Sequence, residues 1–211
     1  MDEKAALDIL GSVGAVITDS HIVYTSGMHG SAYVNKDAVY PHTTKTSLLC
    51  RELAKRFTKG YVRAVIAPAV GGVILSQWVA YHLSGLTGQE VLGVYADKTD
   101  DGNFVIKRGY DKFIDGNNVL VVEDLLTTGG SARKVVDATR AVGGWVSGVG
   151  VLCNRGGVTA TDLGRVPNLH ALVNVKLDAW DEADCPLCKA GVPINTDVGH
   201  GREFLARKQA V

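Results

Sequence analysis

The stretch VLVVEDLLTTGGSA, Val119 to Ala132, constrains the fold more than any other part of the chain. An unbroken apolar run ends in two adjacent acids, Glu123 and Asp124. A turn of hydroxyl residues and glycine follows, and then a helical pattern. An apolar run without polar alternation fits a strand covered on both faces, which implies a parallel sheet flanked by helices. Such a sheet presents the C-terminal ends of its strands to ligand, and the helix that follows each strand offers unpaired N–H groups at the positive end of its dipole.

The rest of the sequence repeats this grammar. Val62 to Ala67, Val91 to Ala96, Val119 to Val122, Val146 to Leu152 and Ala171 to Val175 read as short apolar strands. Helices are expected over Glu3 to Leu10, Thr43 to Phe57, Val73 to Leu83 and Ser131 to Val142. In the second of these, Thr43 or Thr44 would cap the start and Leu48, Leu49, Leu53 and Phe57 would face inward. Two extended runs, His21 to Thr25 and Ala32 to Asn35, are joined by a turn around Ser26 to Gly30. The alternation of strand and helix predicts an α/β fold: a parallel sheet flanked by helices, in a single domain spanning 1–211. It breaks between Asp97 and Asn118, where a polar segment longer than an ordinary connection has the marks of a binding loop, with Asp101-Gly102 as a hairpin turn.

Composition narrows the function. The apolar fraction is 46%, and 22 basic residues balance 22 acidic ones, which argues against a broad polyanion-binding surface and so against a nucleic-acid partner. Glycine is abundant, at 25 of 211 residues. No apolar run is long enough to cross a membrane, and MDEKAALDIL lacks the layout of a signal peptide. With only four cysteines in a chain this long, a reduced cytoplasmic setting is expected.

The chemistry of the central motif follows from its residue types. The N–H groups and hydroxyls of Thr127, Thr128, Gly129, Gly130 and Ser131 suit a phosphate, and the glycines admit an oxyanion that a Cβ would block. Glu123 and Asp124 would repel that phosphate unless they grip hydroxyls on the same molecule, and a ribose monophosphate meets both demands. The plainer alternative makes the acids solubilising strand-end residues and the turn a helix cap. A P-loop and a strand-linked G-x-G-x-x-G are both missing, so ATPase or dinucleotide chemistry has no support.

This motif resembles the phosphoribosyl pyrophosphate (PRPP) motif of the type I phosphoribosyltransferases, and the chain as a whole is most similar to the orotate branch of that family. YTSGMHGSAYVN resembles the branch's N-terminal base-holding region, with Thr25 where many members carry lysine. IAPAVGGVILS resembles its pyrophosphate loop, GVLCNRGG places Arg155 where the branch keeps an arginine for the orotate carboxylate, and CPLCKAGVP resembles a tail of some bacterial members. The resemblance implies Mg²⁺-dependent transfer of phosphoribose from PRPP to orotate in a homodimer, with a small N-terminal hood, about residues 1–40 plus a C-terminal segment, over the base.

It also implies a set of roles. Glu123 and Asp124 would take the ribose hydroxyls, Thr127 to Ser131 the 5′-phosphate, and Val70, Gly71 and Gly72 the pyrophosphate. Thr25, Tyr33, Val34, Thr127 and Arg155 would line the base site. Lys98, Lys107 and Arg108 would arrive on the mobile loop as catalytic cations alongside Asp124, and Mg²⁺ would be held mainly through substrate rather than by protein ligands. Two alternatives stay open: salvage of another nucleobase, and a PRPP-sensing regulator without catalysis.

Cys185 and Cys188 have the spacing of half a zinc site, but a structural site needs four ligands and only His200 and Cys153 offer themselves as completions. The pair therefore reads as ordinary reduced thiols, His29 as a solvated loop histidine, and Trp78 and Trp145 as core or interface packing.

Overall fold

The computed structural model describes residues 1–175 and 178–209. Its helices are α1 (Glu3–Gly11), α2 (Thr43–Ala54), α3 (Gly72–Thr87), α4 (Asp111–Ile114), α5 (Gly130–Ala141), α6 (Pro186–Lys189) and α7 (Gly201–Gln209). The strands are β1 (Val16–Ile17), β2 (Ile22–Val23), β3 (His29–Gly30), β4 (Tyr33–Val34), β5 (Ala64–Pro68), β6 (Leu92–Lys98), β7 (Phe104–Val105), β8 (Asn118–Leu126), β9 (Trp145–Asn154) and β10 (Leu169–Asn174). The main sheet runs β10-β9-β8-β5-β6-β7, parallel throughout except for the antiparallel edge strand β7. The predicted α/β architecture is therefore the observed one.

The period of two along each strand sorts its side chains between two cores. Val65 and Ala67 of β5, with Leu120 and Val122 of β8, face Leu49 and Leu53 of α2 and Leu75, Val79 and Leu83 of α3. Their alternates Ala64, Ile66, Val119 and Val121 face Val135 and Val136 of α5 and Ile114 of α4. Full burial of each Val, Leu or Ile contributes about 1.5–3 kcal/mol, so the two faces share the task of fixing β5 and β8 at the centre.

Several expectations need correction. Strand β8 continues four residues beyond Val122, pairing Leu125 with Cys153 and Leu126 with Asn154, so the two acids sit within the strand and not beyond its end. Helix α2 starts from a His42 cap without a side-chain cap bond, and Leu48 is 39% exposed, because its position falls on the helix face opposite Leu49 and Leu53. The runs around Ile22 and Tyr33 do not pair with each other. Instead β2 pairs β3 and β4 pairs β1, a strand too short to register as a pattern. Trp145 opens β9 at 71% exposure, too close to the strand's start to reach the core. The expected hairpin at Asp101-Gly102 is present: Lys98 pairs with Phe104, and Gly102 takes φ 76°.

Candidate active site

At the C-terminal edge of the sheet, β8 carries Glu123 and Asp124, which are 6% and 4% exposed. This burial removes the solubilising alternative. Two side chains remote in sequence converge on Asp124: the Tyr40 hydroxyl donates to Oδ2 at 2.7 Å, and the Lys36 ammonium lies 3.3 Å from the same oxygen. Burial, reinforced by Asp124, raises the Tyr40 phenol far above its ordinary range, so it stays a donor. Burial works against the Lys36 ammonium, but the Asp124 charge and hydrogen bond outweigh it and raise its pKa. Burial first and Asp124 second push the Glu123 carboxyl up to about 8. The edge thus holds a carboxyl pair with one cation against it, and burial beside Asp124 favours the protonated form of Glu123.

Immediately beyond the acids, Thr127, Thr128, Gly129, Gly130 and Ser131 wrap a small concavity of about 120 Å³ in front of α5. Gly129 takes φ 76°, and a Cβ there would also meet Leu163 Cδ2 at 2.9 Å, so both conformation and space call for glycine. On the neighbouring strand β5, the turn through Val70, Gly71 and Gly72 leads into α3, with Val70 86% exposed. A Cβ on Gly71 would stand 2.9 Å from Asp124 Oδ2 and 3.3 Å from the Lys36 ammonium. The missing side chain therefore keeps the turn open against the acids.

The five residues expected at the base site come together. Thr25, Tyr33, Val34, Thr127 and Arg155 line one cavity of about 580 Å³, joined by Tyr24, Ser26, Ala179, Gly199 and His200. Arg155 Nε donates to Thr127 Oγ1 at 3.1 Å, and Thr25 Oγ1 lies 3.1 Å from His200 Nε2. Thr127 belongs both to this cavity and to the turn concavity.

The loop cations stand apart. Lys98 ends β6, and Lys107 and Arg108 follow β7; all three are exposed, and none lines the base cavity or the turn concavity. Arg108 is held by Asp97 at 3.4 Å and lies over the Tyr95 ring at 5.5 Å. Sequence reasoning missed Lys36, Tyr40 and the placement of His200. Lys36 and Tyr40 sit in a segment without periodicity, and they reach Asp124 from 88 and 84 positions away. The one available signal was chemical: a buried acid pair demands a cation and a donor.

One expectation fails in the hood. His29 is fully buried, not solvated, and Cys185 is likewise buried. Neither Cys153 nor His200 joins the cysteine pair; the residues beside it are His21 and His29. Strand pairing explains the difference, because β3 draws His29 inward by exchanging 2.8 Å backbone hydrogen bonds with Trp180 in both directions.

The acid pair of β8, the anion-sized turn after it and the second glycine turn thus lie at one edge of the parallel sheet. The family described as "Phosphoribosyl transferase domain" matches residues 44–166. The orotate phosphoribosyltransferase of Pelotomaculum thermopropionicum is 40% identical over 92% of this chain and 95% of its own, and that of Desulforamulus reducens 36% over the same shares. Among solved structures, the orotate phosphoribosyltransferase from Aeropyrum pernix superposes with a TM-score of 0.61 at 25% identity, covering 79% of this chain and 92% of that one. The chain belongs to the orotate phosphoribosyltransferase family.

Proposed function

We propose that the protein transfers the phosphoribosyl group of PRPP to orotate, forming orotidine 5′-monophosphate and pyrophosphate in pyrimidine nucleotide synthesis. The observation that carries the residue assignment is the double membership of Thr127. A nucleotide whose 5′-phosphate lies in the turn of Thr127 to Ser131 directs its other end into the cavity holding Arg155. There the guanidinium offers paired donors for the orotate carboxylate, a group that uracil and the purine bases lack. Thr25, Tyr33, Val34 and Thr127 form the walls around the ring. Residues 1–40 and the C-terminal segment act as the hood of a single domain.

In this reading Glu123 and Asp124 hold the ribose hydroxyls, with Tyr40 and Lys36 fixing the Asp124 carboxylate. The N–H groups of Val70, Gly71 and Gly72 receive the pyrophosphate. As the bond to ribose C1 breaks, positive charge grows on the sugar and negative charge on the leaving group, and groups placed for that state accelerate the reaction. Lys98, Lys107 and Arg108 supply the positive charge when the β6–β7 hairpin and the turn after it close and exclude water.

Mg²⁺ carried by the substrate suits this edge, where Asp124 offers the hard oxygen type that the ion prefers and Gly71 leaves the turn bare. When bound, mainly through substrate oxygens and water, it offsets the pyrophosphate charge. The protein acts in the cytoplasm as a homodimer, without membrane or nucleic-acid partners. Ile74 and Tyr81 of α3, 40% and 68% exposed, supply an apolar face for the second subunit. No helix among the described residues is long and apolar enough to cross a bilayer.

The test is pyrophosphate release from PRPP and Mg²⁺ with orotate, uracil, adenine, guanine, hypoxanthine or xanthine offered singly. Release with orotate alone is expected. Release with a purine or uracil but not orotate overturns the substrate assignment, and release with none overturns catalysis.

A further inference from the structure

The hood contains a second constellation, none of whose residues lines the base cavity. His21 enters β2 and His29 lies in β3, while Cys185 and Cys188 flank the start of the short helix α6, more than 150 positions later. Their side chains converge. His21 Nε2 lies 2.8 Å from His29 Nδ1 and 3.6 Å from each cysteine Sγ, and His29 Nδ1 lies 3.3 Å from Cys188 Sγ. All four donor atoms fall within 4.8 Å of one another. A tetrahedral zinc with bonds of about 2.0–2.1 Å to nitrogen and about 2.3 Å to sulfur separates its nitrogen and sulfur ligands by about 3.5 Å, so the nitrogen–sulfur spacings already match that polyhedron.

The surroundings are prepared for a cation. His21 Nδ1 donates to the Val192 carbonyl at 2.7 Å, which fixes the tautomer and turns the lone pair of Nε2 toward the cluster, the usual support of a metal-bound imidazole. The Cys188 N–H donates to Cys185 Sγ at 3.5 Å, which holds the two cysteines on one turn of backbone. His29 Nε2 is buried without a hydrogen-bond partner among the described residues, so all the polar contacts of that ring are directed at the cluster. His21, His29 and Cys185 are sealed from solvent, while Cys188 is partly open and gives an ion a way in.

We infer that His21, His29, Cys185 and Cys188 form a structural zinc site that clips the C-terminal segment onto the β2–β3 hairpin. Two cysteines and two histidines are the donor set that zinc accepts with all four positions filled, leaving none for substrate. The fold gives the clip a purpose. Ile22, Val23 and Cys185 are buried yet belong to neither of the two cores that hold the main sheet. A lobe with so little apolar content of its own is the kind that a metal stabilises. The two segments it joins also carry Thr25, Gly199 and His200 of the base cavity, so the clip would preserve the shape of that cavity.

The test begins with metal content, which does not depend on the orotate reading. Untagged protein, purified without chelator, is expected to carry one zinc per chain by inductively coupled plasma mass spectrometry and to release it when a mercurial blocks the thiols. H29A and C188S are each expected to lose at least nine-tenths of it. Replacement by cobalt(II) should give the thiolate charge-transfer and intense tetrahedral ligand-field absorption of mixed sulfur and nitrogen ligation. Because either variant could fail to fold, the parent protein stripped with a chelator supplies a second readout: Tm lower by about 10 °C, restored by added zinc. Resting on the proposed function, stripping should also raise KM for orotate about tenfold and leave that for PRPP within twofold. Folded protein that holds no metal and takes up neither zinc nor cobalt overturns the site. So does a Cys185–Cys188 disulfide in the freshly purified protein, located by a peptide two hydrogens light that contains both cysteines.

Discussion

The phosphoribose edge and the base-side hood make up one site by opposite means. Acids, turn and helix start of the edge lie within nine consecutive residues, Glu123 to Ser131, which begin inside the buried run of β8. The hood joins two-residue strands to a C-terminal segment through pairs such as Thr25 with His200 and His21 with Val192, 175 and 171 positions apart. Chain connectivity and two cores hold the edge, whereas the β2–β3 part of the hood and the C-terminal segment lie outside both cores and meet through polar contacts between segments distant in sequence. Damage at the edge should therefore strike the chemistry, and damage in the hood the recognition of the base.

The strongest way to break this division is Asp124→Asn. The substitution keeps the shape, removes the charge that positions Lys36 and Tyr40, and weakens the grip on the ribose. A fall in kcat/KM of about 10³-fold is expected, with Tm shifted by only a few degrees, by analogy with the loss of a transition-state partner. Turnover within a few-fold of the parent would mean the sugar docks elsewhere. Next comes Lys98→Ala, on the exposed end of β6. Removing a cation needed only as the pyrophosphate departs should lower kcat about 10²-fold while PRPP affinity stays within a few-fold. Equal kcat in both proteins would remove Lys98 from catalysis.

Arg155→Met tests the other half of the comparison. It removes the guanidinium that Thr127 braces while keeping much of the side-chain bulk. Loss of a charged, paired contact worth about 1.5–3 kcal/mol should raise KM for orotate about 10–100-fold and leave PRPP binding nearly unchanged. A parallel loss of PRPP affinity would show that Thr127 couples the two cavities mechanically, and the division between edge and hood would fail.

Legibility in the sequence followed the same division. The sheet, its flanking helices and both glycine turns are legible because each lies in a local pattern or a compact motif, whereas the five base-cavity residues enter only through the family resemblance. The sequence predicts β8 too short because two consecutive acids look like a strand's end, whereas Tyr40 and Lys36 satisfy Asp124 inside the pairing. Leu48 was placed inward because a stretch with adjacent leucines fits either of two helix faces, and tertiary packing chose Leu49 and Leu53. His29 looked like a loop residue because β2 and β3 contain two residues each, below the length at which alternation exists. Nothing local indicates that Trp180 will cover it, or that His21 will stand beside Cys188.

Even at the legible edge, one property was hidden: the charge state of the acids. Sequence presents two carboxylates; the fold buries both, and burial with the neighbouring Asp124 charge raises Glu123 from 4.5 to about 8. Between those values the native chain keeps a proton that the unfolded chain has released. Stability of the ligand-free protein should therefore fall as pH rises through that window, and be flat with respect to this group below it. Glu123→Gln, which carries the protonated shape permanently, should remove that loss, leaving the variant more stable than the parent near pH 8 by about 1–3 kcal/mol, although it forfeits activity. Urea unfolding of both proteins near pH 5 and near pH 8 makes the comparison. A parent that gains stability toward pH 8, or a variant with the same slope, would mean that Glu123 is ionised in the ligand-free site, and the edge would then face PRPP with two negative charges instead of one.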